Sequence, residues 1–261
     1  MDLGLKDTVV LITGGSKGIG LACAQGFAAE GARVAIASRR REHLEQATAT
    51  LQAVGVQPMV VAADLGDPEQ AARMVREVES RLGPVGVLVN SAGAARRTPP
   101  AELTAAHWRA AMEAKYFTYI HAMDAVLPGM ALRGGVIVNV VGTGGKLASP
   151  THLPGGAANA ALMLASAGLA NAFAPHGVRI NVVNPGITAT QRMQEGLEAE
   201  ARLAGKTVEE ILQQKLRALP LGRVAEPQDV ADAVVFLASR RAGYVSGAVL
   251  ALDGAAVPMV V

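Results

Sequence analysis

A strand, a glycine-rich turn and a helix follow one another near the start of the chain. The apolar run Thr8–Ile12 leads into TGGSKGIG at Thr13–Gly20, and a small, apolar-periodic segment continues from Leu21 to Glu30. A second β-like run at Arg33–Ser38 completes a strand–helix–strand unit. Parallel strands need such a crossover connection, so this feature predicts a fold built on a parallel sheet.

The spaced glycines Gly14, Gly18 and Gly20 predict a binding site for a phosphate group. Glycine lets the backbone bend sharply and approach a pyrophosphate, while the following helix offers free N–H groups and the positive end of its dipole. The alternative is a tight turn that binds nothing. The strand before the turn and the helix after it favour the binding site.

Runs of Val, Ile and Leu along the rest of the chain indicate buried parallel strands that alternate with helices. The strand patterns cover Thr8–Thr13, Arg33–Ser38, Gln57–Ala62, Val85–Asn90, Gly135–Val141, Arg179–Asn184 and Ala248–Leu252. The helical patterns cover Gly18–Ala29, Arg41–Val54, Asp67–Leu82, Thr104–Leu132, Ala157–Ala174 and Pro227–Ser239. We therefore predict an α/β protein with a single Rossmann-like domain over residues 1–261. Its doubly wound sheet has seven parallel strands and helices on both faces.

Composition narrows the functional classes. The 261 residues, of which 51% are hydrophobic, suffice for one large domain. A formal net charge of +2 gives no reason to expect nucleic acid or a membrane surface as a partner. The single cysteine, Cys23, excludes an internal disulfide framework and fits a reducing compartment. Because no apolar stretch reaches about 18 uninterrupted residues, we expect a cytoplasmic protein, and we expect no metal site.

Arginines follow the second strand, about 20 residues after the glycine turn, where a dinucleotide's ribose is held. Ser38, Arg39, Arg40 and Arg41 stand there in succession. An acidic residue would bind a ribose 2′-hydroxyl, whereas an arginine suits a 2′-phosphate through charge-assisted hydrogen bonds. Lys17 adds a second cation, so the sequence favours NADP(H) over NAD(H). The alternative, that some of these arginines start a helix and face water, applies best to Arg41.

Residues that follow other strands complete the predicted cofactor site, because ligands bind beyond the carboxyl ends of parallel strands. Small residues after the fourth strand would let adenosine approach the backbone, and Asp64 would accept a hydrogen bond from its amine. Ordinary turn chemistry without a ligand is the alternative. The predicted cofactor-binding residues are Gly14, Ser16, Lys17, Gly18, Ile19, Gly20, Ser38, Arg39, Arg40, Asp64, Leu65, Asn90, Ala92, Gly93, Pro185, Gly186 and Thr188.

A charged, amphipathic insertion, residues 189–219, separates the sixth strand from the last core helix. Its position predicts that it lies over the ligand site. It is interpreted either as a helical lid that closes on substrate or as a fixed pair of surface helices.

The motifs together resemble the short-chain dehydrogenase/reductase family over nearly the whole chain. They are TGGSKGIG at Thr13–Gly20, Asp64-Leu65, NSAG at Asn90–Gly93, RINVVNPGIT at Arg179–Thr188, GRVAEPQDVADAVVFLAS at Gly222–Ser239 and YVSGAVLALDGA at Tyr244–Ala255. The resemblance implies a dinucleotide-dependent enzyme acting on a small carbonyl or alcohol. It also implies a homodimer or homotetramer built on two long helices, near Thr104–Leu132 and Ala157–Ala174.

Catalysis in that family rests on a serine, a tyrosine, a lysine four residues after the tyrosine, and an asparagine on the preceding long helix. Aligning the motifs places Gly142 at the serine position and Gly155 at the tyrosine position. Asn159 then stands at the lysine position and Lys115 at the asparagine position. The residues from Gly145 to Ala174 include no tyrosine, so the resemblance implies an enzyme whose proton-transfer residues differ from the family pattern.

Four residues are the candidates for the missing chemistry. Lys115 and Asn159 are the family's asparagine and lysine exchanged between helices, which indicates a retained polar contact, although two unrelated substitutions would look the same. His152 is a candidate acid or base if its loop folds over the site, and a solvated loop histidine is the alternative. Thr143 is a candidate hydrogen-bond donor to a substrate carbonyl. Tyr116 and Tyr119 are weaker candidates; Tyr119 shares a helix face with Lys115 and is expected to pack at a helix interface.

Three functions remain open at this stage. The first is an NADP(H)-dependent oxidoreductase with a rebuilt active site. The second is a cofactor-binding subunit or NADP(H) sensor without turnover, which would form a hetero-oligomer with an active homologue. The third is a non-redox elimination or retro-aldol cleavage that uses Lys115 as base or amine nucleophile.

Overall fold

A single parallel sheet forms the centre of the computed structural model, which describes residues 2–93 and 96–258. Its strands are β1 (Val9–Thr13), β2 (Arg33–Ser38), β3 (Met59–Ala62), β4 (Val85–Asn90), β5 (Gly135–Val140), β6 (Val178–Pro185) and β7 (Val249–Leu252). They pair in the order β3-β2-β1-β4-β5-β6-β7, and every neighbouring pair is parallel. The predicted seven-stranded, doubly wound sheet is confirmed.

Helices cover both faces of the sheet. They are α1 (Gly18–Ala29), α2 (Arg41–Gln52), α3 (Pro68–Leu82), α4 (Ala105–Ala111), α5 (Thr118–Arg133), α6 (Leu153–Phe173), α7 (Gln191–Ala204), α8 (Val208–Ala218) and α9 (Pro227–Ala238). One buried cluster joins α3, α5 and α6 to side chains such as Leu11 and Ile137. The other joins α1, α2 and α9 to side chains such as Ile12 and Val138. Adjacent strand residues therefore enter opposite cores, which explains the continuous apolar runs.

The strand order reverses beside β1, which pairs with β2 on one side and β4 on the other. The carboxyl ends of β1 and β4, at Thr13 and Asn90, therefore border the crevice in which this class of sheet binds ligands. The fold thus brings the glycine turn and the NSAG run to the same edge.

One predicted helix boundary is wrong, the start of the helix predicted at Ala157, and the others lie within two residues of the structure. The helix predicted over Thr104–Leu132 is interrupted by a π-helical turn, Met112–Phe117, between α4 and α5. The helix predicted from Ala157 begins at Leu153, because Pro154 suits the first turn of a helix. His152 consequently closes a 3₁₀ turn, Pro150–His152, and does not lie in an open loop.

The insertion between β6 and α9 folds into α7 and α8, which share a small apolar cluster of Leu197, Ala201 and Ile211. Among the described helices, the segment Pro150–His176 is long and apolar enough to pass a length-and-composition test for a membrane span. Core helices pass the same test, and this segment buries Leu162 and Met163 in the main core.

Candidate active site

The turn after β1 has a backbone that only glycine accommodates without strain. Gly14 and Gly18 have φ values of +68° and +51°, in the left-handed region. A Cβ on Gly14 would lie 2.7 Å from the backbone nitrogen of Ala92, and one on Gly20 would overlap the carbonyl of Gly14. The close approach of β1, the turn and α1 therefore depends on these glycines.

The first turn of α1 offers N–H groups to an anion. Lys17 occupies the N-cap position, and no side chain caps the helix there. Ser16 is buried beneath the turn, whereas Lys17 is exposed and donates from Nζ to Gln191 Oε1 at 3.4 Å. An uncapped helix N-terminus at a glycine turn fits a phosphate-bearing ligand, so this cradle suits the pyrophosphate of a dinucleotide.

The arginines after β2 point into solvent. Arg39 and Arg40 are exposed, and neither guanidinium forms an ion pair or side-chain hydrogen bond within residues 2–93 and 96–258. Arg40 occupies the N-cap position of α2 without capping it, and Ser38 is the last residue of β2. Both cations are thus available to a phosphate at this edge.

Asp64, Leu65 and Asn90 have roles inside the fold. Asp64 Oδ1 accepts from the Gly66 nitrogen at 3.0 Å, while the Leu65 carbonyl lies 2.8 Å from His121 Nδ1. Asn90 is fully buried and links Thr13 Oγ1, at 3.1 Å, to Asn139 Oδ1, at 3.0 Å. The side chain of Asn90 thus fixes the ends of β1 and β4, and the backbone of the adjoining Ala92 and Gly93 remains at the crevice.

The turn after β6 is held by its own hydrogen bonds. The Gly186 nitrogen donates to the Leu252 carbonyl at 3.0 Å, and Thr188 Oγ1 donates to the Gly186 carbonyl at 3.3 Å. Pro185 ends the strand and is buried. This turn lies at the same carboxyl edge as the glycine turn.

Lys115 lies in the π-helical turn and is only 7% exposed. Its Nζ donates to Tyr119 Oη at 2.9 Å and to the Val140 carbonyl at 3.2 Å. The Tyr119 hydroxyl donates to the same carbonyl, and Nζ lies 4.5 Å from the centroid of the Tyr119 ring. Tyr119 is fully buried, and its phenol holds the amine against the end of β5.

The protonation of this pair follows from its surroundings. Burial, and secondarily the charge of Arg192, lower the pKa of Lys115 to about 7. Burial raises the pKa of Tyr119 well above its ordinary value. Near neutral pH the amine is therefore divided between its charged and neutral forms, whereas the phenol keeps its proton.

His152 is half-buried, and its Nδ1 is buried with no hydrogen-bond partner in the described part of the chain. Its Cδ2 lies 3.1 Å from the position that a Cβ on Gly144 would take. Burial, then the charges of Arg97, Lys115 and Arg192, lower the pKa of His152 below its ordinary value. The imidazole is thus largely neutral at pH 7.

Asn159 and Thr143 border the same stretch of chain. Asn159 is buried, and its Nδ2 lies 3.4 Å from the Cβ position of Gly142. Gly142 has a φ of +125°, a conformation that a serine would adopt only with strain. Thr143 is half-buried at the start of a 3₁₀ turn, Thr143–Gly145.

The predicted contact between Lys115 and Asn159 is not a direct hydrogen bond. Lys115 binds the Val140 carbonyl, whereas Asn159 lies beside Gly142. The two residues therefore flank the same short segment after β5 from two different helices.

The α7–α8 insertion meets the site through its first turn. Arg192 Nη1 donates to the Gly93 carbonyl at 3.0 Å, and a Cβ on Gly18 would lie 3.1 Å from Thr190 Cγ2. Sequence reasoning missed Arg192, although its position one turn after the NPGIT motif is a usable signal. The first turn of the insertion therefore contacts the glycine turn at Gly18 and the NSAG run at Gly93.

The chain resembles known proteins over almost its full length. A family model described as enoyl-(acyl carrier protein) reductase matches residues 14–255. Gluconate 5-dehydrogenase of Gluconobacter oxydans is 34% identical, over 96% of this chain and 94% of that protein. L-sorbose reductase of Gluconobacter frateurii, in a crystal structure with NADPH and L-sorbose, superposes with a TM-score of 0.92 at 31% identity over 100% of both chains. An actinorhodin polyketide ketoreductase variant with NADPH also gives 0.92, at 30% identity over 95% of this chain and 97% of that one.

The parallel sheet and the glycine turn at its switch point define a Rossmann-type fold. The turn and the polar groups beyond β5 form a site that resembles a dinucleotide-binding site. With the family match over residues 14–255, the chain belongs to the short-chain dehydrogenase/reductase family.

Proposed function

We propose that the chain is an NADP(H)-dependent oxidoreductase that interconverts a small carbonyl compound and its alcohol, with Lys115 as the proton carrier. The observation that carries the proposal is the buried amine of Lys115, which has a pKa of about 7 and lies at the end of β5. Family membership and the glycine cradle support the cofactor, which supplies or accepts a hydride when bound.

The cofactor-binding part of the proposal uses the predicted residues. The backbone of Gly14–Gly20 would hold the pyrophosphate at the N-terminus of α1. Arg39 and Arg40 would bind the 2′-phosphate of NADP(H), which supports a preference over NAD(H). Pro185, Gly186 and Thr188, on the turn after β6, would border the nicotinamide.

Lys115 is arranged to move a proton. A neutral amine that donates both hydrogens, to Tyr119 Oη and the Val140 carbonyl, keeps its lone pair for a third partner. The ammonium form presents an N–H in the same direction. A proton carrier works best when its pKa lies near the working pH, which Lys115 satisfies. His152 is less suited as an acid, because its pKa is lowered.

The other polar groups would position the substrate in this atypical site. Asn159 Nδ2, which lies beside Gly142, and Thr143 Oγ1, on the following residue, are hydrogen-bond donors near the position where the family carries a serine. We assign them to the substrate oxygen. Gly155, at the tyrosine position, leaves the proton transfer to Lys115.

The test is NADPH consumption by the purified protein with a panel of carbonyl compounds, including sugars, steroids, quinones and ketoacyl thioesters. Loss of a general acid lowers rates by about 10²–10⁴-fold, so Lys115→Met should lower kcat to that extent without changing NADPH affinity. Lys206→Met, in an exposed position, is the matched control. NADPH binding without turnover on any carbonyl would contradict the proposal and favour an inactive cofactor-binding subunit.

A second candidate function also follows from Lys115. A poorly hydrated amine with a lowered pKa is a good nucleophile toward carbonyls, so Lys115 is suited to Schiff-base chemistry in a retro-aldol or elimination reaction. Borohydride reduction in the presence of candidate carbonyls would fix the adduct on Lys115. An unchanged protein mass would exclude this function.

We also propose a homodimer or homotetramer that uses α6. Its Leu164 is 77% exposed, although α6 is among the most apolar helices of the chain. Oligomers bury such faces. Co-purification with a homologous active subunit would instead indicate a hetero-oligomer.

A further inference from the structure

No carboxylate pairs with Lys115 or with Arg192 in the described part of the chain. Glu200 is held by two cations, at 3.1 Å from Arg97 Nη1 and 2.6 Å from Lys215 Nζ. Lys115 and Arg192, in contrast, have only neutral partners among the described residues, namely a phenol and backbone carbonyls. Neither side chain thus has a carboxylate partner of its own.

Arg192 reaches from the first turn of α7 to the wall of the site. Its guanidinium bonds the Gly93 carbonyl at 3.0 Å. Gly93 in turn packs on the π-helical turn, since a Cβ there would lie 2.6 Å from the Ala114 carbonyl and 3.3 Å from Lys115 Cα. Only Nη1 of Arg192 has a partner in the described part of the chain, so its other N–H groups remain free for a ligand.

Gln191, the residue before Arg192, contacts the glycine turn of the predicted cofactor site. Gln191 accepts from Lys17 of the glycine turn at 3.4 Å. Two neighbouring residues in the first turn of α7 therefore point to different regions. Gln191 lies toward the predicted pyrophosphate site, and Arg192 lies toward Gly93 and Lys115. Arg192 thus bonds a different part of the site wall from the glycine turn that Gln191 contacts.

The positively charged side chains shift the pKa values of neighbouring groups. The positive charges of Arg97, Lys115 and Arg192, added to burial, lower the pKa of His152, and Arg192 also contributes to the lowered pKa of Lys115. Arg192 is exposed and has no carboxylate partner among the described residues, so its guanidinium is open to an anionic ligand. A carboxylate also accepts two parallel hydrogen bonds from a guanidinium.

We propose that the substrate is a small oxo acid or hydroxy acid and that Arg192 binds its carboxylate while Lys115 faces its carbonyl or alcohol oxygen. The inference rests on the proposed oxidoreductase function and adds the substrate class. Arg192 is then the residue that determines specificity for acids over neutral carbonyl compounds.

The experiment compares acids with their neutral counterparts. NADPH consumption is measured with pyruvate, acetoacetate and levulinate, and with the methyl ester of each, because the spacing between carboxylate and carbonyl is not fixed by the structure. Charge-assisted hydrogen bonds are worth about 1.5–3 kcal/mol, or roughly 10–10²-fold. At least one acid should therefore exceed its ester in kcat/KM by that factor in the wild-type protein.

Variants at Arg192 test whether this residue causes the preference for acids over esters. Arg192→Gln should lower kcat/KM for the acid by roughly 10–10²-fold more than for its ester, while Arg192→Lys should retain part of the preference. Arg202→Gln, on the exposed side of α7, is the matched control and should behave as wild type. Equal kcat/KM for acids and esters in the wild-type protein would overturn the inference and leave the oxidoreductase function standing.

A binding measurement keeps the two proposals separable. Calorimetric titration of the same acids into protein saturated with NADP⁺ needs no turnover, because the oxidised cofactor does not reduce them. Binding that Arg192→Gln abolishes supports the inference even if no carbonyl is reduced. No acid binding, or an Arg192→Gln defect confined to NADPH affinity, would overturn it; the second result would assign Arg192 to a cofactor phosphate.

Discussion

The glycine turn and the region around Lys115 lie at the same edge of the sheet but depend on different parts of the chain. The turn is defined by backbone, since Gly14, Gly18 and Gly20 take conformations and contacts that exclude a Cβ. The Lys115 region is defined by the side chains of Lys115 in the π-helical turn, Tyr119 in α5 and Arg192 in α7, which bond the backbone carbonyls of Val140 and Gly93. The proposed cofactor binding thus depends on backbone conformation and the proposed proton transfer on side chains, and the following experiments test this division.

The largest expected effect is on the pH dependence of stability. The pKa of Lys115 is about 7 in the folded chain against an ordinary value of 10.5. Between these values the unfolded chain binds more protons, so the wild-type free energy of unfolding should rise by about 1.4 kcal/mol per pH unit relative to Lys115→Met. Urea denaturation at several pH values from 7 to 9 measures this difference. A constant difference across that window would mean that the amine is not buried as described.

Gly14→Ala tests the glycine turn, whose proposed role in cofactor binding depends on its backbone. The added Cβ would lie 2.7 Å from the Ala92 nitrogen, at a φ of +68°. Strain of about 1–3 kcal/mol, together with the steric conflict, should weaken NADPH binding by about 10²-fold. Fluorescence titration measures the affinity. Gly196→Ala is the control, because its nearest contact would be 3.6 Å away, and it should bind as wild type. Unchanged binding in Gly14→Ala would contradict the proposed cradle.

Arg39→Ser, combined with Arg40→Ser, sharpens the assignment of cofactor. Loss of charge-assisted hydrogen bonds should weaken NADPH binding by roughly 10–10²-fold and leave NADH affinity unchanged. Arg41→Ser, at the first position of α2, should alter neither value. Equal losses for both cofactors would show that these arginines do not read the 2′-phosphate.

The smallest effect on the site should come from Leu164→Glu, which alters the exposed face of α6. Light scattering should show a smaller assembly, because a charge opposes burial of that face. Leu203→Glu changes a leucine that is 60% exposed on α7 and should leave the assembly intact. The same mass for Leu164→Glu and wild type would contradict the proposed interface.

The sequence predicted the sheet because each buried strand is a local run, and it predicted the glycine turn because its spacing is local. The π-helical turn at Met112–Phe117 was missed, since its extra residue is accommodated by packing that no local pattern records. The hydrogen bond from Lys115 to the Val140 carbonyl was likewise not predicted, because it joins residues far apart in sequence. Pro154 indicated that α6 begins earlier than predicted, but the prediction followed the apolar pattern instead.

The pH dependence of kcat in both directions tests the central claim, that Lys115 carries the proton. Carbonyl reduction needs the ammonium form and should fall as pH rises through about 7. Alcohol oxidation needs the neutral amine and should rise through the same pH range, and both transitions should vanish in Lys115→Met. Two flat profiles in the wild-type protein, or transitions that persist in Lys115→Met, would contradict the account.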